Sequence, residues 1–402
     1  MVLPAAIVLV AFALRLGCAI VLGNDVRAHF IFDPSVYDLL ARRLVEGRGY
    51  VGYLAQPTAY FPPGYPAVLA GAYLAFGDDL RVAWTLNAVC GALTCLFVYL
   101  TGVRLFTPRI AIVAATLLAV LPGDVLRSSL TMTEPLFGFL VSVATFLFVR
   151  WNAAAAGLGR WLGCGALLGA AGLVRGVALV LPVVFAVVWA VDDGVRKAVV
   201  RTGAVVAGVT LVLLPWMARN AAVTGAWIVA TDATYALFNA HNPLANGSQS
   251  VDMHELRVRE WPWIARLPPE QQEVAMSREE LRYAIRYALG HPREELAAIL
   301  PRLGYLYGSD HHPLRDDPPS AAGRAALRIA DVFFFAVLLF AAFGVPDALR
   351  PPPERVVLPA IVLAITALHA VLFFGEPRYH APVVPALALL AACGLERTGR
   401  YL

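Results

Sequence analysis

About ten apolar segments, separated by short polar turns or longer loops, constrain the fold of this 402-residue chain more than any other feature. A helix needs about 20 mainly apolar residues to cross a bilayer. Hydrophobic residues make up 59% of the chain and charged residues only 15%. In soluble domains, about 45–50% of the residues are apolar and about 25% are charged. The sequence therefore predicts an all-α polytopic membrane protein, with spans at 2–23, 82–104, 109–122, 134–150, 161–174, 177–191, 202–218, 326–345, 356–374 and 380–396.

Arginines and the single lysine, Lys197, give these spans an orientation. With about ten spans, basic residues collect in every second loop, and by the positive-inside rule those loops face the cytoplasm. A further apolar run, 64–77, breaks this alternation if it is counted as a span, so we interpret it as an interfacial or re-entrant helix. Both termini are then inside, and the outer face receives 24–80, 123–133, the turn at Arg175, 219–325 and 375–379.

The distribution of polar sequence divides the chain into three parts. We expect an N-terminal transmembrane module at 1–218, which includes the outer loop 24–80, and C-terminal transmembrane helices at 326–402. Between them, 219–325 is the only sizeable polar segment and is predicted to lie outside the membrane. Its charged run at 270–282 is typical of a helix, so juxtamembrane helices are expected on the outer face.

Two acidic residues are candidates for catalysis because each stands at the predicted outer edge of a span. Asp33 follows the first span, and a carboxylate there can act as a general base on an acceptor hydroxyl. Glu134 opens the fourth span, where an ionisable group indicates function by default. Each also has a purely structural interpretation, since Asp and Glu stabilise the first turn of a helix. The residues alone leave both interpretations open.

Arginines on the predicted outer face form a second candidate set. A guanidinium binds phosphate in a bidentate manner and keeps its charge, so several converging arginines would bind a phosphate or diphosphate. Arg175 is the strongest candidate because two spans hold it with almost no loop. The alternative is that each side chain reaches the lipid headgroups. The arginines proposed for substrate binding are Arg27, Arg127, Arg175, Arg219 and Arg378.

Several classes of chemistry have no signal in the sequence. We find no P-loop, no GxGxxG in a βαβ context and no HExxH motif, so no nucleotide cofactor is expected. The neighbouring His311 and His312 lack the partner spacing of a metal site. The sequence therefore predicts no cofactor, although it leaves a divalent metal open. Nothing indicates a nucleic-acid partner.

The order of the outer-face motifs resembles the GT-C glycosyltransferases, most closely the bacterial protein-mannosyltransferase-like and aminoarabinose-transferase-like branch. Each motif is weak alone, but together they cover nearly the whole chain and fall on one predicted face. In chain order they are Asp33 with Tyr37, Gly47 with Gly49-Tyr50, Pro62-Pro63-Gly64-Tyr65-Pro66, Thr133-Glu134-Pro135, Leu173-Val174-Arg175, Pro215-Trp216 with Arg219-Asn220, Asn239-Ala240-His241-Asn242-Pro243, and Arg378-Tyr379 with Pro382.

This resemblance implies an inverting transferase in the cytoplasmic membrane. It would move a hexose or pentose from a polyprenyl-phosphate donor to a hydroxyl of a lipid, glycan or protein on the outer face. Asp33 would be the catalytic base or orient the acceptor, and Glu134 would line the same cavity. The further substrate-binding residues it implies are Tyr37, Tyr65, His241, Asn242 and Tyr379. Many relatives carry a second acid directly after the first, and this chain has Pro34 there.

A second class of function is open at this point. A transporter or flippase of a lipid-linked or anionic substrate would also need acids and arginines near the membrane. Transporters typically place such groups near the midplane, in broken helices and repeated halves. The sequence has its polar residues on one predicted face and no evident repeat, which favours the enzyme.

Overall fold

The computed structural model describes residues 2–23, 25–28, 32–53, 55–153, 156–249, 253–310 and 321–399. Within these ranges the chain forms helices joined by loops, with one isolated antiparallel bridge between Val51 and Pro57. The α-helices are α1 Val2–Leu22, α2 Phe32–Val45, α3 Gly64–Phe76, α4 Leu80–Leu105, α5 Pro108–Val120, α6 Pro122–Arg127, α7 Glu134–Ala153, α8 Leu158–Val174, α9 Leu181–Asp192, α10 Val195–Thr224, α11 Asp232–Ala240, α12 His254–Glu260, α13 Pro269–Gly290, α14 Pro292–Tyr307, α15 Ala321–Ala348, α16 Val357–Val371 and α17 Val384–Gly399.

Within the described ranges, seven helical segments are long and apolar enough to cross a membrane. Shorter apolar helices cover the remaining predicted spans, so each predicted span coincides with a helix in the structure. The run predicted as interfacial or re-entrant is α3, a 13-residue helix. At 1.5 Å per residue such a helix is about 20 Å long, which is shorter than a hydrocarbon core of about 30 Å. The prediction of an all-α, multi-pass membrane protein is confirmed.

Two of the differences from the predicted spans involve prolines. The helix predicted to end at 218 runs through Pro215 to Thr224, so Arg219 lies on α10 and not in a loop. Membrane helices tolerate an internal proline because neighbouring groups satisfy the freed carbonyl. The span predicted at 177–191 is divided into a 3₁₀ helix, Gly176–Val180, and α9. Proline in the first turn of α9 fits a helix start.

A fully buried arginine, Arg15, interrupts the first apolar segment and joins three helices. Its guanidinium donates to the carbonyls of Leu118 and Ala119 at the end of α5, at 3.0 and 3.1 Å. It also pairs with Asp124 of α6 at 2.5 Å. A charge in the bilayer is costly unless it is paired. Arg15 meets that need by binding otherwise unpaired carbonyls, so its role is structural.

Glycines allow the helices α15 and α17 to cross in backbone contact. A Cβ atom built on Gly394 would lie 1.9 Å from the carbonyl oxygen of Phe340. A Cβ atom built on Gly344 would lie 1.9 Å from the carbonyl oxygen of Leu390. Membrane helices use small residues in this way because close packing replaces the missing hydrophobic force between them.

We therefore expect Gly394→Ala to destabilise the bundle by about 1–3 kcal/mol, the usual cost of an added methyl group in a packed interior. Gly163→Ala is a matched control in α8, since its Cβ would meet no atom within 4 Å. It should be neutral or stabilise by up to about 1 kcal/mol. Unfolding both variants in one detergent tests the difference; equal stability would show that the crossing tolerates a methyl group.

Residues after α10 form a small second core beside the bundle. Phe238, Met253, Leu256, Trp261 and Ile264 bury their side chains against one another. Helix α13 packs against α11 in this layer. Its Glu273 accepts hydrogen bonds from Ala59 N at 2.8 Å and Thr58 Oγ1 at 2.6 Å. The polar segment is thereby fixed to the loop before α3.

Candidate functional site

Two ion pairs between distant parts of the sequence form the centre of the site. Asp33 lies in the first turn of α2, which begins one residue earlier at Phe32, so it is part of the helix and not its cap. Its carboxylate pairs with Arg378. Arg378 is carried by a 3₁₀ helix, Pro377–Val383, and also donates to Glu376 at 2.5 Å and to Gln249 at 3.2 Å. The two predicted residues are therefore in direct contact although 345 positions separate them.

The second ion pair joins Glu134 to Arg175. Glu134 opens α7 and its side chain is only 3% exposed, while Arg175 links α8 to the following 3₁₀ helix. The guanidinium lies 2.7 Å from Glu134 Oε1 and donates to Thr133 Oγ1 at 3.0 Å. The short connection between two spans holds Arg175 in place, as the sequence predicted.

Tyr379 connects the two ion pairs. The guanidinium carbons of Arg175 and Arg378 both lie 5.2 Å from the centre of its ring. A cation within about 6 Å of an aromatic face is attracted by the ring quadrupole. The same ring stacks on His369 at 4.8 Å between centroids. Tyr379 therefore fixes the spacing of the two arginines.

Tyr37 supplies a neutral hydroxyl beside these charges. It is buried one helical turn after Asp33. The centre of its ring lies 4.7 Å from that of Phe61 and 5.4 Å from that of Tyr65. Burial raises the pKa of Tyr37 well above its ordinary value, and the negative charge of Asp33 raises it further. The phenol consequently stays protonated and can donate a hydrogen bond.

An acid that the sequence analysis missed, Asp232, belongs to the same neighbourhood. It is the first residue of α11 and is partly buried. Burial raises the pKa of Asp232 to about 7, Arg175 opposes that shift, and Asp33 adds to it. In sequence it looks like an ordinary helix start after Thr231, and nothing local distinguishes it from a cap. Glu376 and Gln249 were also missed; both stand in loops, and their bonds to Arg378 appear only in the folded structure.

The described residues of the site include more carboxyl groups than guanidinium groups. Its carboxyl groups belong to Asp33, Glu134, Asp232 and Glu376, and its guanidinium groups to Arg175 and Arg378. Each guanidinium is paired with at least one carboxylate. A ligand phosphate would therefore have to displace a carboxylate, or meet a carboxyl group that is already protonated.

Arg127 lies next to this cluster but is engaged elsewhere. It is 5% exposed and pairs with Asp310 at 3.1 Å, and Asp310 in turn lies 2.9 Å from His380. A small cavity bounded by Arg127 and Glu134 separates it from the second ion pair. Because His380 stands two residues after Arg378, this buried chain positions the 3₁₀ helix that carries Arg378 and Tyr379.

Two other predicted arginines hold the first outer loop together. Arg27 pairs with Asp38 at 3.0 Å and with Asp78. Arg219 donates to the carbonyls of Thr58 at 2.7 Å and Tyr50 at 2.8 Å. The structure therefore gives both guanidinium groups a structural role, and a binding role for them stays a prediction.

The remaining predicted residues, Tyr65, His241 and Asn242, are bonded to other groups of the protein. Tyr65 packs on Tyr37 and donates to Asn87 at 3.3 Å. His241 lies 2.9 Å from Glu295 and 2.9 Å from the carbonyl oxygen of Leu372. Asn242 donates to the carbonyls of Phe238 and Asn239 at 2.8 and 3.0 Å, which shapes the turn after α11. A substrate-binding role for them stays a prediction.

Metal binding has little support in the described part of the chain. Within those ranges, no three His, Cys, Asp or Glu side chains are grouped so that they could hold a metal ion. His311 and His312 lie outside the described residues.

Comparison with known proteins adds a partial match to a family model and a shared fold. Residues 61–219 match the family model described as dolichyl-phosphate-mannose-protein mannosyltransferase. No curated protein sequence matches the chain significantly.

Two solved structures share its architecture at low sequence identity. One is the oligosaccharyltransferase AglB from Archaeoglobus fulgidus, in complex with an inhibitory peptide and a dolichol-phosphate; it aligns at TM-score 0.57 and 17% identity over 99% of this chain and 50% of AglB. The other is ArnT from Cupriavidus metallidurans bound to undecaprenyl phosphate, at TM-score 0.52 and 18% identity over 99% of this chain and 78% of ArnT.

These likenesses extend over nearly the whole of this chain, although it spans only about half the length of AglB. At such identities they show the fold. The family model matches less than half of the chain, and the likeness to the two solved structures shows a shared bundle architecture.

Proposed function

We propose that this protein is an inverting glycosyltransferase that moves a sugar from a polyprenyl-phosphate donor to an acceptor hydroxyl. The observation that carries the proposal is the joined pair of ion pairs, Asp33–Arg378 and Glu134–Arg175, whose guanidinium carbons both lie 5.2 Å from the centre of the Tyr379 ring. They lie at the ends of apolar helices, where a lipid phosphate would meet the protein while its chain stayed between the helices.

Arg175 and Arg378 would hold the donor phosphate. A guanidinium offers two parallel N–H donors to phosphate oxygens. Neutralising the phosphate makes it a better leaving group, because charge develops on its bridging oxygen as the bond to the sugar breaks. Structural relatives that carry undecaprenyl phosphate or a dolichol-phosphate support a donor of this class.

Asp33 would receive or orient the acceptor hydroxyl. In an inverting displacement, the acceptor oxygen attacks the anomeric carbon from the face opposite the phosphate. The new C–O bond forms as the sugar–phosphate bond breaks, and the phosphate leaves with the electron pair. The hydroxyl proton must pass to a nearby carboxylate, and holding the reactants in line supplies much of the rate.

The same proposal gives the protein a location and an arrangement. The positive-inside pattern supports the cytoplasmic (inner) membrane with the site on its outer face. Residues 1–218 and 326–402 would form the membrane module, and 219–325 would lie outside it. The acceptor, a lipid, a glycan or a protein, would then be recognised by 24–80 and 219–325.

A transporter or flippase is less well supported. Its substrate site would lie near the membrane midplane between broken helices. The paired charges here stand instead at helix ends: Asp33 in the first turn of α2, Glu134 in the first turn of α7 and Arg175 just after α8.

A direct test uses purified protein in lipid vesicles with a panel of undecaprenyl-phosphate sugars, hexoses and pentoses, and water or an alkyl glycoside as acceptor. We expect sugar release from at least one donor and a product of inverted anomeric configuration, followed by chromatography and NMR. Movement of a labelled lipid between leaflets without cleavage would instead support a flippase, and the absence of both would contradict the proposal.

A further inference from the structure

The site contains two carboxyl groups near the place where the acceptor would bind, and their surroundings differ. Asp33 is ion-paired with Arg378. Asp232 makes no ion pair within the described part of the chain. Arg175, the guanidinium that acts on it electrostatically, is bonded to Glu134. A carboxylate bonded to a guanidinium is a weaker base than an unpaired one.

The backbone fixes Asp232 against the loop that surrounds Asp33. Asp232 N donates to the carbonyl oxygen of Tyr60 at 3.1 Å, and Thr231 N donates to that of Ala59 at 2.9 Å. The ring of Tyr60 lies 6.2 Å from that of Phe32, which directly precedes Asp33. The two segments that carry Asp33 and Asp232 are therefore joined through this aromatic contact.

Glu273 reinforces this placement from α13. It accepts hydrogen bonds from Ala59 N at 2.8 Å and from Thr231 Oγ1 at 3.4 Å, so one carboxylate binds both chain segments. The position of Asp232 is consequently determined by three bonded segments, a rigidity that a proton-accepting group requires.

We propose that Asp232 takes the proton of the acceptor hydroxyl, while Asp33, held by Arg378, orients that hydroxyl. This inference rests on the proposed function and assigns the proton in it. The acceptor oxygen forms its bond to the anomeric carbon, the donor phosphate leaves with the electron pair, and the proton moves to Asp232, which later releases it to water.

The charges around Asp232 agree with this role. The ionisable groups that interact with it include Asp33 and Tyr37 from α2, Tyr50 and Tyr60 from the outer loop, and Arg175 after α8, and Glu273 of α13 contacts the neighbouring Thr231. Burial raises the pKa of Asp232 to about 7, Asp33 adds to the shift and Arg175 opposes it. A general base is most effective when its pKa lies near the working pH.

The proposal predicts how kcat depends on pH. Asp232 must be deprotonated to accept a proton, so kcat should rise as the pH increases through about 7 and then level off. Below that pH it should fall about tenfold per unit. If Asp33 took the proton instead, Asp232→Asn would keep the wild-type kcat at every pH.

The test compares Asp232→Asn and Asp232→Ala with the wild type, on a donor from the panel that the wild type uses. We expect kcat above pH 8 to fall by about 10²–10⁴-fold, the usual contribution of a general base, while the donor KM changes little. Added formate should restore part of the Asp232→Ala activity, because a small carboxylate can replace the missing base. Glu255→Gln, an exposed acid on α12, is the matched control and should keep full activity.

Structural and catalytic roles separate clearly in this design. A role limited to stabilising α11 would lower the unfolding temperature of Asp232→Ala, leave the pH profile of its residual activity unchanged and give no formate rescue. That result, or full activity of Asp232→Asn, overturns the assignment alone. If the wild type uses no donor of the panel, the proposed function fails, and this assignment falls with it.

Discussion

Asp33→Asn is expected to abolish sugar transfer while the protein still folds and binds its donor. The amide keeps the shape of the side chain but removes the charge that pairs with Arg378 and accepts the hydrogen bond of the acceptor hydroxyl. Loss of that orientation should lower kcat by about 10²-fold or more. Single-turnover assays at saturating donor measure this step directly.

Asp25→Asn is the matched control for that experiment. Asp25 lies in the same outer loop, is exposed, and accepts hydrogen bonds from the backbone N–H groups of Arg27 and Ala28. Its amide variant should turn over at the wild-type rate. If Asp33→Asn also keeps its turnover, Asp33 has no part in the transfer and its ion pair with Arg378 is structural.

Arg175→Met is expected to lose both donor binding and stability, for two separable reasons. It removes one of the two guanidinium groups that would hold the phosphate, and it leaves the carboxylate of Glu134, 3% exposed, without its 2.7 Å partner. Breaking a buried pair in this way costs about 3–5 kcal/mol. Thermal unfolding in detergent and donor binding measure the two effects on one sample.

The double variant Arg175→Met with Glu134→Gln separates these effects. Neutralising Glu134 removes the unpaired charge, so most of the lost stability should return. Donor binding should remain weak because the phosphate still lacks its guanidinium. Recovery of donor binding in the double variant would show that Arg175 serves only to balance Glu134.

Much of the candidate site could be predicted because its residues stand beside strong helix signals. Asp33, Glu134 and Arg175 each flank an apolar segment whose length reveals its ends. The motif with Arg378 and Tyr379 lies between the last two spans. These residues, together with Tyr37, meet in the structure, and the resemblance of the motif order to GT-C enzymes pointed to them before any contact was known.

Arg27, Arg127 and Arg219 show why arginines could not be sorted by position along the chain. All three flank apolar segments as Arg175 does, yet each is bonded to partners that do not belong to the two ion pairs. Arg127 pairs with Asp310, 183 positions away, and Arg219 binds the carbonyls of Thr58 and Tyr50. Pairing depends on distances through space, which a linear pattern does not contain.

By itself the sequence determined the class of the protein. Runs of apolar residues must leave water and satisfy their backbone internally, and in a bilayer a long apolar run does this as a helix. The approximate positions of its apolar helices and the alternation of arginines along the chain follow from composition and spacing alone.

Only the tertiary structure decided which charges act together. It joined Asp33 to Arg378 across 345 residues, placed both arginines on Tyr379, and added Asp232, a residue that looks like an ordinary helix start in sequence. Its burial and its lack of an ion-pair partner in the described chain come from the packing of α11 against the first outer loop. Coulombic coupling and desolvation depend on that packing, so they appear only once the chain has folded.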